Sequence, residues 1–186
     1  MKVSSITRWL GLVGFFIIIG CASKATIDLR YHTVGVNIPP CTKSIAVVSF
    51  EDKRDSIAVG QKKDGQFLYG QPFVAEWISQ ALVKELKMSG CDAAYHEKSA
   101  DFGTDYVITG EIKETFLRQE SISNFAANMK LKIVIHKGKT KVLGKEYSST
   151  LSKSTVPTSG AYSEVLSELL QGMMREVVPD VRENLK

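Results

Sequence analysis

The sequence contains no stretch of about twenty consecutive apolar residues, the length a membrane-spanning helix requires. Its longest apolar run, Trp9 to Ile19, is about half of that. Histidine is scarce: His32, His96 and His136 are scattered, with no H-x-x-x-H pair, so a zinc site is unsupported. No G-x-S-x-G nucleophile elbow occurs. Gly60 to Gly65 has the spacing of a phosphate loop, but Gln66-Phe67 follows where Lys-Ser/Thr is required. An excess of one charge is also missing. The formal net charge is +4, which is no electrostatic footprint for nucleic acid. None of these gaps leaves a cofactor to expect.

What is present begins at the N-terminus. Lys2 and Arg8 precede the apolar run with no acidic residue among them, which is the pattern of a secretory signal. Its end, Ile18-Ile19-Gly20-Cys21, resembles the lipobox of bacterial lipoproteins. That resemblance implies cleavage before Cys21 and acylation of its thiol, with residues 1–20 discarded. In enteric bacteria an aspartate after the cysteine retains such proteins at the inner membrane, and Ala22 stands there instead. The resemblance therefore implies an outer-membrane anchor with the body in the periplasm. More than one acyl chain makes such attachment effectively permanent. Loss of Lys2 and Arg8 would lower the formal charge to +2.

Cysteine is rare as well, at three residues. With Cys21 spent on lipid, Cys41 and Cys91 form an even pair in an oxidising compartment. Each precedes a strand-like run, Ser44 to Phe50 and Asp92 to Tyr95, with a helical pattern between. In a right-handed βαβ unit those strands run parallel, which predicts a Cys41–Cys91 disulfide; two separate half-buried thiols is the other reading.

The organisation expected is a tether over residues 21–43 followed by one domain over 44–186. Within the tether, Ile27, Leu29 and Tyr31 alternate with Asp28 and Arg30 at the period of a half-buried strand. Glu51 to Gln71 reads as a long polar connection, of a length that is often functional, with a short strand at Gln66 to Tyr69 as an option. Pro72 to Met88 reads as a helix burying a stripe that includes Phe73, Trp77, Leu82 and Leu86, stopped at Gly90. Three runs, Tyr106 to Arg118, Ala126 to His136 and Lys141 to Leu151, alternate with period two and predict an antiparallel meander. A last helix carries Tyr162, Val165, Leu169, Met173 and Val177 on one stripe, with Thr158 or Ser159 as cap and Pro179 weakening its end. The order β-α-β-β-β-β-α predicts an α/β (α+β) two-layer sandwich, with two helices on one face of a mixed, mainly antiparallel sheet.

Candidate functional residues cluster in the long connection. Asp52 and Arg54 are read either as part of a solvated charged turn or as an ion pair shaping the loop for a partner. Phe67 and Tyr69, with Leu68 and Phe73, are read as an apolar patch that packs the loop or anchors a protein. The carboxylates Asp52, Asp55, Asp64, Glu111 and Glu114 allow a hydrolytic pair to be drawn, as any acidic chain does.

The lipobox, the strand Ile45 to Phe50 followed by Glu51-Asp52-Lys53-Arg54, the Gly60 loop, the helix from Trp77-Ile78-Ser79-Gln80-Ala81-Leu82 to Gly90, and Asp105-Tyr106-Val107-Ile108-Thr109-Gly110-Glu111-Ile112 together resemble the YajG-like bacterial lipoproteins. They are similar at greater distance to the α/β domains of LptE, LpoB and the TolB N-terminal region. The resemblance implies no catalytic residue; it implies a non-enzymatic adaptor, assembly or accessory factor that meets an envelope protein partner. The alternatives are a lipid, lipopolysaccharide or peptidoglycan binder using Lys113, Lys130 and Lys132 on the helix-free sheet face, and, third, a hydrolase. Oligomeric state has no sequence signal.

Overall fold

The computed structural model describes residues 25–35, 41–100 and 102–185; Cys21, the signal segment and Pro39-Pro40 lie outside them. The longest strands are β7 (Tyr106–Gln119), β8 (Asn124–Lys137) and β9 (Thr140–Ser154), a continuous antiparallel meander. Their alternation is what the sequence pattern demands. Phe125, Ala127, Met129, Leu131, Ile133 and Ile135 of β8 are buried, and the intervening residues are partly open. Both helices, α1 (Val74–Met88) and α2 (Ala161–Glu183), cover that apolar face and touch each other. The result is the expected two-layer sandwich, on a sheet of nine strands.

Along the other side of β7 lies a series of short strands. β2 (Ser44–Val48) pairs parallel with the start of β7 and with β6 (Asp92–His96). β3 (Glu51–Asp52) pairs with the middle of β7, and β4 (Ala58–Gln61) with its end. β5 (Phe67–Gln71) returns antiparallel to β4. The connection 51–71 is therefore not a structureless loop. Its strands are too short to show a period, and their partner, β7, lies far along the chain.

The N-terminal segment departs furthest from expectation. Ala25 to Tyr31 belongs to the domain and is no tether. β1 (Ala25–Asp28) pairs parallel with β5, Ala25 opposite Leu68, and Ile27, Leu29 and Tyr31 are buried. The chain then descends against the helices. The Trp77 Nε1 donates to the Arg30 carbonyl at 3.0 Å, Gln171 donates to the His32 carbonyl at 2.9 Å, and the buried Glu85 carboxylate accepts from the Tyr31 hydroxyl at 2.5 Å and the Val34 N–H at 2.6 Å. Burial, reinforced by Glu85, pushes the Tyr31 hydroxyl far above its usual range, so it remains a donor. The domain thus starts at or before Ala25, not at Ser44.

Cys41 and Cys91 are disulfide-bonded, with Cα atoms 4.6 Å apart. They sit where β2 and β6 begin side by side, and Arg182 from the end of α2 donates to the Cys91 Sγ at 3.0 Å. The helix boundaries also differ in detail. Phe73 is the N-cap of α1 and is 79% exposed, so it does not belong to the buried stripe. Gly90 adopts φ +81°, a left-handed conformation that suits glycine just past a helix end. α2 is capped at Gly160 with no side-chain cap, and it continues through Pro179 to Glu183.

Candidate functional site

Between β3 and β4 the chain swings away from β7, and Arg54 fills the gap. Its guanidinium grips the Asp52 carboxylate through Nε at 2.8 Å and Nη2 at 2.7 Å, and Nη1 donates to the Ala58 carbonyl at 3.1 Å and the Thr115 carbonyl at 3.4 Å. The Arg54 side chain is only 6% exposed. Thr115 lies in β7 between the residues paired with β3 and those paired with β4, so a side chain serves where the backbone ladder is interrupted. Burial alone would raise the Asp52 carboxyl, but the hydrogen bonds and charge of Arg54 outweigh it and hold the group below its usual range. Asp52 and Arg54 are joined, and the joint bridges the gap in the ladder between β3, β4 and β7.

The apolar patch is not assembled. Leu68 is in the core, Tyr69 is partly buried, and Phe67 and Phe73 are exposed with the length of β5 between them. Three of the carboxylates considered for hydrolysis, Asp52, Asp64 and Glu111, have other attachments. Glu111 is paired with Lys132 at 3.2 Å, and Asp64 accepts from the Gln66 N–H in the β4–β5 turn.

The helix-free face of β7, β8 and β9 is open along the strands. Lys113 and Glu146 form an ion pair, and Lys130 approaches the same carboxylate at 3.6 Å. Hydrogen bonding and charge from Lys113, with Lys130, keep the Glu146 carboxyl below its usual range. With Lys132 paired to Glu111, the three lysines share two glutamates across strands. Val107, Thr109, Phe116, Ala126 and Val134 are partly exposed between and beyond these charges. Among the described residues, β9 has β8 as its strand partner on one side and none on the other.

A polar cleft of about 820 Å³ lies on the other side, between β1 and the outer surface of α2. Asp28, Arg30, His32, Ser163, Glu168 and Arg175 contribute to it. Arg30 pairs with Asp28 at 2.6 Å and Lys153 with Glu168 at 2.6 Å. No sequence signal pointed to α2 here. The alternation that buries Ile27, Leu29 and Tyr31 did place Asp28, Arg30 and His32 on the opposite side, and these supply one wall. Among the described residues, no group of three or more His, Cys, Asp or Glu side chains could hold a metal ion, and no helix is long and apolar enough to cross a membrane.

No family model and no curated protein matches the sequence. Solved structures do match. Protein XCC0632 from Xanthomonas campestris, of family model DUF330, superposes with a TM-score of 0.67 at 13% identity, covering 86% of this chain and 95% of its own. The hypothetical protein CT253 from Chlamydia trachomatis gives 0.53 at 10% identity over 78% of this chain and 98% of its own. A further uncharacterised protein gives 0.54 at 15% identity over 87% and 99%. At such identities the likeness is one of fold. Proteins described as lipoproteins are also similar, at TM-scores of 0.38 and 0.36, too distant to carry an argument.

Proposed function

We propose that this chain is a lipid-anchored protein of the cell envelope, tied to the outer membrane through Cys21 on the periplasmic side, that acts without catalysis by binding another envelope protein on the helix-free sheet face. The observation that carries this reading is the charge balance of that face. Its three lysines share two carboxylates, Glu111 and Glu146, so most of that charge is met within the face, and small and apolar side chains such as Val107, Thr109, Ala126 and Val134 lie among the pairs. A polyanion such as lipopolysaccharide needs unpaired cations, so the binder that would use Lys113, Lys130 and Lys132 is disfavoured. Protein partners are met by such surfaces, and the free edge of β9 adds main-chain groups that a partner strand can pair with.

Site-specific photo-cross-linking in cells tests it. A benzophenone side chain at Thr150 on the open face should capture a discrete protein, and one at Glu176 on the outer side of α2 should not. Capture of lipid or glycan alone from Thr150, or no difference between the two sites, would overturn the adaptor reading. Separately, Cys21→Ala should release the protein from the membrane fraction.

A further inference from the structure

Three connections meet at the end of the sheet remote from the disulfide: the β4–β5 turn, the β7–β8 turn and the segment joining β9 to α2. One side chain ties the first two of them to α2. The Gln119 Oε1 accepts from the Tyr162 hydroxyl of α2 at 2.7 Å and from the Lys63 N–H of the β4–β5 turn at 3.3 Å, while its Nε2 donates to the Ile122 carbonyl at 3.2 Å. The Thr155 N–H donates to the Ser123 carbonyl at 2.8 Å, which joins the third connection. Three of the six exposed large apolar residues among the described residues lie on this rim, while Ile57, Phe73 and Met88 lie elsewhere. Phe67, Ile122 and Val156 are 47%, 66% and 74% exposed.

The same rim surrounds the start of β1. Ala25 is level with Leu68, Gly60 and Leu117 through successive pairings, so β1 enters the sheet at this end. Only residues 22–24 separate Cys21 from Ala25. Four residue steps reach at most about 14 Å when fully extended. The β4–β5 turn projects beyond the level of Ala25 and uses part of that reach. A lipid on Cys21 therefore leaves the rim no room to stand clear of the bilayer.

We infer that the rim carrying Phe67, Ile122 and Val156 is a membrane-contact surface, seated in the headgroup region of the leaflet that holds the anchor. This rests on the reading of Cys21 as the lipid attachment site. The seating is chiefly apolar. Lys62, Lys63 and Arg118 are nearly balanced by Asp64 and Glu120 on the same rim, so zwitterionic lipid suffices. The contact fixes orientation: the long strands stand upright on the membrane, and the disulfide end points away from it.

The test uses the mature chain coupled through Cys21 to a maleimide phospholipid, Cys41 and Cys91 being paired. It is inserted into phosphatidylcholine vesicles with brominated acyl chains. Tryptophan is placed at the rim by Ile122→Trp, or at the opposite end, in the β8–β9 turn, by Lys139→Trp. Trp77 is buried and common to both. Bromolipid should reduce the emission added at position 122 by about twofold or more and leave that added at 139 unchanged. Equal emission from both sites in brominated and ordinary vesicles would overturn the inference. Because the lipid is attached chemically, that result is distinct from failure of the anchor reading, which would appear as absence of acyl label on Cys21 in cells.

Discussion

At the scale of single residues, Arg54 and Glu85 do what a charged residue in a sequence gives little reason to expect: they complete backbone structure from the side. Arg54→Ala removes the partners of Asp52 and of two carbonyls in a buried position, and should destabilise the domain by about 2–3 kcal/mol in urea unfolding. The acid limb supplies a second reading of the same contact. Because the folded Asp52 carboxyl lies below its ordinary value of 3.8, its contribution is complete above that pH and is lost as pH falls through the lowered folded value. The Arg54→Ala variant should therefore show a shallower loss of stability below pH 3.8 than the parent; identical acid limbs would separate Asp52 from Arg54. Tyr31→Phe deletes a hydrogen bond to a buried carboxylate and should cost about 1–2 kcal/mol by thermal or urea unfolding, with little change in secondary structure. Charge runs such as Glu51 to Asp55 are ordinarily solvated, so the burial of Arg54 was legible only as one of two options. Glu85, on the helical stripe of a charged residue type, gave no signal at all.

Legibility changes with the length of the element. β7, β8 and β9 were readable because fourteen or fifteen residues repeat one alternation, and α2 because its stripe spans several turns. β3 and β4 have two and four residues, and each exists because β7 offers it an edge. β1 had the right alternation, but nothing local names β5, some forty residues on, as its partner. Phe73 was assigned to the core because its spacing fits the stripe, yet it precedes the first helical residue and points outward. Gly110 is the converse, unremarkable in sequence but required: a Cβ there would lie 2.8 Å from the Phe50 ring that covers it. At this scale the disulfide is the strongest device, closing a loop of 50 residues. Loop-closure entropy over that length is worth about 4 kcal/mol. Reduction, or paired Cys41→Ser and Cys91→Ser substitution, should lower unfolding stability by up to about that amount, and the unreduced mature protein should yield no alkylatable thiol from either position by intact mass.

For the whole molecule, the boundary of the folding unit is the main revision. A chain beginning at Ser44, the boundary that the sequence pattern alone suggests, lacks Ile27, Leu29 and Tyr31, each buried, and exposes the surfaces of β5, Trp77 and Glu85 that they cover; because it also lacks Cys41, the comparison is made with the Cys41–Cys91 disulfide of the longer chain reduced. The shorter chain should fail to show a cooperative thermal transition by circular dichroism, whereas a chain beginning at Ala22 should unfold in one step; equal melting of the two would remove the N-terminal segment from the core. Fold class and helix placement were legible from pattern because they depend on periodicity. Which end of the sheet receives β1, and hence which loops lie beside Ala25, depends on pairings between distant segments.

The in-register alignment of β1 with β5 also has a mechanical meaning. Any force applied at the N-terminal end of β1 along the chain pulls the strand lengthwise against its parallel neighbour, so the hydrogen bonds between them are loaded in shear and must yield together, not one after another. Past β1 the pull meets the Glu85 attachment, and past that the covalent bridge at Cys41, which passes the load directly to Cys91. Slack gained by tearing out the first strand is therefore bounded, and the sheet behind the bridge is shielded from a pull on β1.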